Sequence, residues 1–266
     1  MKVTKVRPNV LMISIVAATG GLLFGFDTGV ISGALPFLKQ YWQLNDASIE
    51  WITTTVLLGA VAGAVSSGRL SDIIGRRKMI IINAVIFTVG AIGCAFAPNP
   101  TILILMRILI GIAIGITSYV VPMYIAEISP TRIRGALVTL NQLMITIGIL
   151  ASYITDYVLS DDNNNESWRW MFLVGLVPSL ILLIGMFFLP ETPRWLISKH
   201  HLDEGIKVLQ KVEDPDMVDQ TLANIKNEVK QEAENKTRVT EIFKPWLRAP
   251  LIITVGIFFF QQFSGV

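Results

Sequence analysis

Apolar residues gather in six long blocks with short polar stretches between them: about Val10–Leu38, Trp51–Ser71, Met79–Ala97, Ile102–Val121, Ala136–Val158 and Trp170–Leu189. Each has the ~20 mainly apolar residues that a helix needs to cross a hydrocarbon layer ~30 Å thick. In that layer the backbone must satisfy its own hydrogen bonds, which selects helices. The sequence therefore predicts an all-α membrane protein with six transmembrane helices. A seventh block begins near Leu251 and runs to Val266. At ~1.5 Å per residue that stretch reaches only about 24 Å, a partial seventh span.

The one long polar segment runs from about Thr192 to Ala249. Pro193 suits the first turn of a helix. Trp195, Leu196, Leu202, Ile206, Leu209 and Val212 then recur at helical spacing, Asp214-Pro215 interrupts them, and Val218, Leu222, Ile225 and Val229 resume. Several short amphipathic helices on one membrane face are expected, the alternative being a plain solvated linker. The expected organisation is residues 1–190 as a six-helix bundle, 191–249 as a helical linker and 250–266 as the start of the seventh span.

Charge sets the orientation. Lys2, Lys5 and Arg7 precede the first block; Arg69, Arg76, Arg77 and Lys78 follow the second; Arg132 and Arg134 follow the fourth; Arg194 and Lys199 follow the sixth. The intervening loops hold Lys39, nothing around Pro98–Pro100, and then Asp156, Asp161, Asp162 and Glu166 with Arg169 at the far edge. Lys and Arg favour the cytoplasmic side, so the N-terminus and the even-numbered loops are expected there, in a multi-pass protein of the cytoplasmic membrane. The first block is too long for the ~7–15 residues of a signal h-region.

Composition narrows the function. Of 266 residues 52% are hydrophobic and 16% charged, with a net charge of +2. That is no basic field for nucleic acid. Cys94 is the single cysteine and lies in an apolar block, and the two histidines, His200 and His201, are adjacent in a polar stretch. There is no disulfide framework, no metal-ligand spacing, and no nucleophile–His–acid set for an enzyme.

Two charged side chains lie well inside the blocks, Asp27 and Arg107. An ionisable group in a bilayer costs at least ~2.5–3.5 kcal/mol and is usually retained for function, with a partner. Counted from the expected outer ends, the two lie about 16 and about 9 Å deep, a gap that a long Arg side chain can bridge. Asp27 is expected to take up a proton from outside and Arg107 to tune its proton affinity. A static ion pair is the structural alternative.

Three other features point the same way. Gly21, Gly25, Gly29 and Gly33 form a flat ridge at four-residue spacing on the first helix, and Gly59/Gly63 and Gly111/Gly115 repeat it, which favours close helix packing. Asp72, Arg76, Arg77, Glu127, Arg134, Glu191 and Arg194 all fall at helix ends on one membrane face. Interlocked, they would hold that side shut, since Arg suits bidentate carboxylate pairing. Gln142 in the fifth block and Gln261 and Gln262 in the seventh are amides in hydrocarbon, costly unless they meet each other or a polar ligand. A sugar hydroxyl both donates and accepts, as an amide does; helix–helix hydrogen bonding is the other reading.

These residues resemble the sugar porter family of the major facilitator superfamily over essentially the whole chain. The resemblance is carried by Gly20–Gly33, Gly68–Lys78, Pro122–Pro130 with Arg134-Gly135, Pro190–Trp195 and Gln261–Gly265. The stretch Asn141–Leu150, with Trp168–Met171, is similar to bacterial galactose/proton and arabinose/proton symporters, and Asp27 resembles proton-coupled members, since facilitators usually carry an amide there. The resemblance implies proton-coupled transport of a monosaccharide (galactose, arabinose, xylose or similar), driven by the proton gradient without a cofactor. It implies Asp27 and Arg107 as the proton pair. Phe24, Gln142, Ile145, Gln261 and Gln262 would line the sugar site, and the helix-end charges would form the inner gate. Such carriers have twelve spans, so this sequence is expected to be the N-terminal half, dependent on a missing C-terminal half for full function. Facilitated diffusion, an inositol substrate and a non-transporting sugar sensor are the alternatives.

Overall fold

The computed structural model describes residues 8–161, 164–234 and 245–263; Lys2, Lys5, Arg7, Ser264 and Gly265 lie outside the described residues. The helices are α1 Pro8–Trp42, α2 Asp46–Ile74, α3 Arg76–Ala95, α4 Pro100–Ile128, α5 Arg134–Leu159, α6 Ser167–Val174, α7 Leu176–Phe188, α8 Pro193–Ser198, α9 Leu202–Val212, α10 Val218–Glu234 and α11 Pro245–Phe263. Six helical stretches among the described residues are long and apolar enough to cross a membrane, with α6 and α7 together making the sixth. The chain is a multi-pass membrane protein.

Several helices outrun the apolar blocks that predicted them. α1 continues past Leu38 to Trp42, and α4 passes Pro122 and ends at Ile128. Apolar content marks where a helix meets lipid, whereas its ends are fixed by capping. Asn45 accepts a hydrogen bond from the Ser48 amide and Asn99 one from the Ile102 amide, each at 2.9 Å, which opens α2 and α4. Thr192 does the same for α8, with Pro193 behind it. The sixth crossing breaks at Gly175 although its apolar block is continuous. Pro178, three residues further on, has no N–H for the Val174 carbonyl.

The crossings pair out of chain order. α1 packs along α5 and α2 along α4, while α3 packs on α4 and on α6–α7, and α1 on α4 and α7. Exchanging the first three crossings with the last three maps these contacts onto themselves, as expected of an internal repeat. Glycine makes the two main pairings close. A Cβ on Gly25 would run into the Ile145 carbonyl of α5, one on Gly29 into the Ser152 hydroxyl and one on Gly33 into the Asp156 carboxyl. In the other pair, Gly59 and Gly63 rest on the Ile108 and Ile112 carbonyls, and Gly111 and Gly115 on those of Val56 and Ala60. The α1 ridge therefore faces α5, not its neighbour in sequence.

At the end of the bundle away from the N-terminus, α1 is fastened to α6. Trp42 and Trp168 pack with ring centroids 5.2 Å apart and planes tilted by 51°, and the Tyr41 hydroxyl donates to Glu166 at 3.0 Å. At the opposite end α8 packs on α4 and α9 on α1. The chain divides into two compact units, residues 1–222 and 223–266. In the second, α11 is a 19-residue helix with Phe259 and Phe263 packed together on it. It starts six residues before the expected Leu251.

Gly25→Leu and Gly111→Leu are expected to force the paired helices apart, costing at least ~1–3 kcal/mol as overpacking does. Thermal unfolding in detergent should show clearly lowered midpoints for both. Gly135→Ala, where a new Cβ meets nothing within 4 Å, should leave the midpoint unchanged.

Candidate functional site

The two charges expected inside the membrane meet. An oxygen of Asp27 on α1 lies 2.8 Å from Nη1 of Arg107 on α4, and each residue is only 2% exposed. Arg107 Nε also donates, at 3.4 Å, to the Ile52 carbonyl of α2, so one side chain ties three helices. A buried carboxylate without a counter-charge costs several kcal/mol, and the charge-assisted hydrogen bond offsets much of that. The pairing is incomplete, because Asp27 Oδ2 is buried with no hydrogen-bond partner among the described residues. A free acceptor oxygen on a paired carboxylate can take a proton without first breaking the pair.

The expected sugar-site residues lie along the α1–α5 seam. Phe24 is half-buried beside Gly25, which rests on the Ile145 backbone, so Phe24 and Ile145 stand at one level. Ile145 is half-buried, and Gln142, one turn earlier on the same face of α5, is exposed. Gln261 and Gln262 fall in the last turn of α11; their side chains lie outside the described residues.

At the N-terminal end of the bundle, the helix-end charges form a connected latch. Arg76, buried at the start of α3, lies 2.9 Å from Asp72 of α2 and 3.1 Å from Glu127 of α4. The Thr192 hydroxyl donates to the same Glu127 carboxylate at 2.6 Å, and the Trp195 indole donates to the Asp72 carbonyl at 3.0 Å. Arg77 donates to the Met186 and Phe187 carbonyls, at 3.0 and 2.6 Å, where α7 ends. Glu191 accepts from the Arg77 amide at 3.0 and 3.2 Å and from the Thr192 amide at 3.0 Å. It thereby supplies the negative charge that the α3 N-terminus favours.

Gly75 makes this approach possible. Its φ of 103° suits glycine, and a Cβ there would run into the Glu191 carboxylate. Burial pushes the Glu191 carboxyl above its usual value, against the Arg77 and Thr192 amide hydrogen bonds and the charge of Arg76. Of the expected latch residues, Arg194 is half-buried on α8, whereas Arg134 is exposed, with no ion pair among the described residues. Thr192 was not foreseen in the latch, although the Ser/Thr–Pro helix start marks its position.

A further acid was misplaced. Asp156, counted above with an intervening loop, lies in the last turn of α5 and is 8% exposed. The signal that finds it is the column Gly148, Ser152, Asp156 at four-residue spacing, facing the α1 glycines.

A helical membrane bundle with an internal repeat, a buried acid–guanidinium pair at its middle and an acid–base latch at one end matches the fold of the major facilitator superfamily. The chain belongs to its sugar transporter family: the family described as "Sugar (and other) transporter" matches residues 13–266. It is 44% identical over 248 residues to the putative metabolite transport protein YwtG of Bacillus subtilis, covering 93% of this chain and 53% of that protein. It is 40% identical over 255 residues to the galactose-proton symporter of Escherichia coli K12, covering 94% and 53%. A solved structure of the proton:xylose symporter XylE bound to 6-bromo-6-deoxy-D-glucose superposes with a TM-score of 0.82 at 30% identity, covering 86% of this chain and 55% of that one. The chain spans about half the length of the curated relatives it matches. Proteins of this family are transporters, not enzymes, and need no cofactor.

The latch has a pH signature. A carboxyl whose folded value is raised stabilises the fold most below its unfolded value, near 4.5 for Glu191, and loses that contribution as pH rises through the folded value. Thermal midpoints of the wild type should therefore fall relative to those of Glu191→Gln as pH rises from about 4.5 to about 8. Parallel curves for the two proteins would count against a buried, titrating Glu191.

Proposed function

We propose that this chain forms the first half of a proton-coupled monosaccharide symporter working by alternating access in the cytoplasmic membrane, with its N-terminus in the cytoplasm. The observation that carries this reading is the Asp27–Arg107 pair with its unpartnered buried oxygen. A proton from the outer side binds that oxygen, neutralises Asp27 and weakens its hold on Arg107. The guanidinium keeps its second contact, the Ile52 carbonyl on α2. Proton occupancy thus acts on how α1, α2 and α4 are held together.

The sugar packs against Phe24 and Ile145 and exchanges hydrogen bonds with Gln142, whose exposed amide offers both a donor and an acceptor. Gln261 and Gln262 on α11 supply further amides. The site is completed by a second half of the kind that the relatives contain, because such sites lie between repeats. Asp72, Arg76, Arg77, Glu127, Glu191 and Arg194 form the inner gate, with Arg134 beside it. In this reading residues 1–190 form the transmembrane bundle of the first half, 191–249 a cytoplasmic helical linker, and 250–266 the start of the seventh span. Similarity to galactose-proton and xylose-proton symporters supports this reading.

The test is Asp27→Asn in the chain co-expressed with the second half of the galactose-proton symporter, in cells lacking their own monosaccharide carriers. Accumulation against a gradient should fall at least tenfold, while exchange of labelled for unlabelled sugar persists. Undiminished accumulation would refute the coupling role.

A further inference from the structure

At the N-terminal end of the bundle, α1, α3, α7 and α9 enclose a cavity of about 440 Å³, a volume typical of ligand pockets. Its wall has two parts. Asn9, Arg77 and Lys211 are polar, and Met12, Phe187 and Phe188 are apolar. The three apolar side chains are exposed, Phe188 to 83%. They stand where α7 ends and the sixth apolar block gives way to Pro190-Glu191. The cavity therefore straddles the boundary between hydrocarbon and the polar interface.

The electrostatics are one-sided. No Asp or Glu lines the cavity among the described residues. Lys211, exposed in the last turn of α9, makes no ion pair among them. Arg77 donates to the Met186 and Phe187 carbonyls, which offsets the negative end of the α7 dipole. The acids nearest in sequence to this wall are turned to other donors. Glu191 takes the Arg77 and Thr192 amides, and Glu213 accepts from the Asp214 amide at 3.3 Å and the Thr221 hydroxyl at 3.5 Å.

The chain's own segments outside the described residues are poorly matched to this wall. Residues 1–7 carry Lys2, Lys5 and Arg7 and no acid, and 235–244 carry Lys236, Arg238 and Lys244 against Glu241 alone. Both would be repelled by a basic surface. A free phosphate would match the cations and leave the aromatic rim unused. An uncharged lipid would match the rim and leave Lys211 without a counter-charge. An anionic phospholipid satisfies both parts at once.

We infer that the cavity is a binding site for one anionic phospholipid. Its phosphate lies against Lys211 and Arg77, and its acyl chains run along Met12, Phe187 and Phe188. Basic pockets between transmembrane helices suit such headgroups, because a phosphate takes charge-assisted hydrogen bonds from Lys and Arg where little water competes. The bound headgroup bridges α9 to α1 and α7 and so braces the first linker helix on the bundle. The symport reading enters only in assigning the site to the cytoplasmic leaflet.

The experiment is native mass spectrometry of the full 266-residue chain, released from detergent micelles that hold equal amounts of phosphatidylglycerol and phosphatidylcholine with the same acyl chains. The wild type should retain one phosphatidylglycerol in preference to phosphatidylcholine. Lys211→Gln should lower that retention about fivefold, the effect of one basic residue at a lipid surface, and Lys211→Arg should preserve it. Lys207→Gln removes an exposed cation of α9 outside the cavity wall and should change nothing. Equal retention of the two lipids, or equal losses in Lys211→Gln and Lys207→Gln, would overturn the inference. Phe188→Ser tests the apolar part at a position too exposed to matter for folding, and it should also weaken retention; undiminished retention would overturn the acyl-chain contact. Inorganic phosphate and soluble glycerophosphoglycerol should fail to displace the lipid, whereas full displacement by either would make this a free-anion site and overturn the lipid assignment. None of these readouts involves sugar or Asp27, so the symport reading and this one can fail separately.

Discussion

The closeness of two helix pairs is the constraint on which the rest of the bundle depends. α1 on α5 and α2 on α4 meet backbone to backbone because glycine occupies the contact positions on both partners. In lipid, where apolar surfaces gain little by meeting one another, such packing is a main source of helix association. It leaves no slack for misplacement of side chains along the seams. Asp27 and Arg107 meet at 2.8 Å because α1 and α4 are held between these two pairs. The same tightness presses Asp156 onto Gly33.

The latch is the polar counterpart of this arrangement. Its central charges, Arg76 and Glu127, are themselves buried, and it is built from backbone groups as much as from ion pairs. Glu191 caps the start of α3, Arg77 collects the last carbonyls of α7, and Thr192 joins Glu127 to the start of α8. Every link joins a helix end to a helix end. Parting the ends would break the network at several points together, as a two-state gate requires.

Much of this was legible in the sequence. The six spans, the short helices that follow Pro193, the depth match of Asp27 with Arg107 and the gathering of charges at one face all followed from apolar block length, periodicity and charge placement. What was not legible followed from packing. Periodicity showed the Gly21–Gly33 ridge but not that it faces α5, because the partner of a ridge is fixed by topology. Arg134 carries the same signal as Arg76 yet stays exposed, since nothing in local sequence tells a capped arginine from a solvated one. Asp156 was counted with a loop because its charge lies near the end of the fifth apolar block, Ala136–Val158, whereas α5 continues for three residues beyond it. The break at Gly175 was hidden in a block of uniform hydropathy and traces to Pro178.

The central claim is that Arg107 reports the protonation of Asp27. Nitrogen NMR of the Arg107 guanidinium, in the labelled chain held in lipid nanodiscs, measures this directly. The account predicts that the Arg107 signal shifts in a single titration step, and that the step disappears in Asp27→Asn. An Arg107 signal that does not move with pH in the wild type would contradict the account and leave the pair as a static tie between helices.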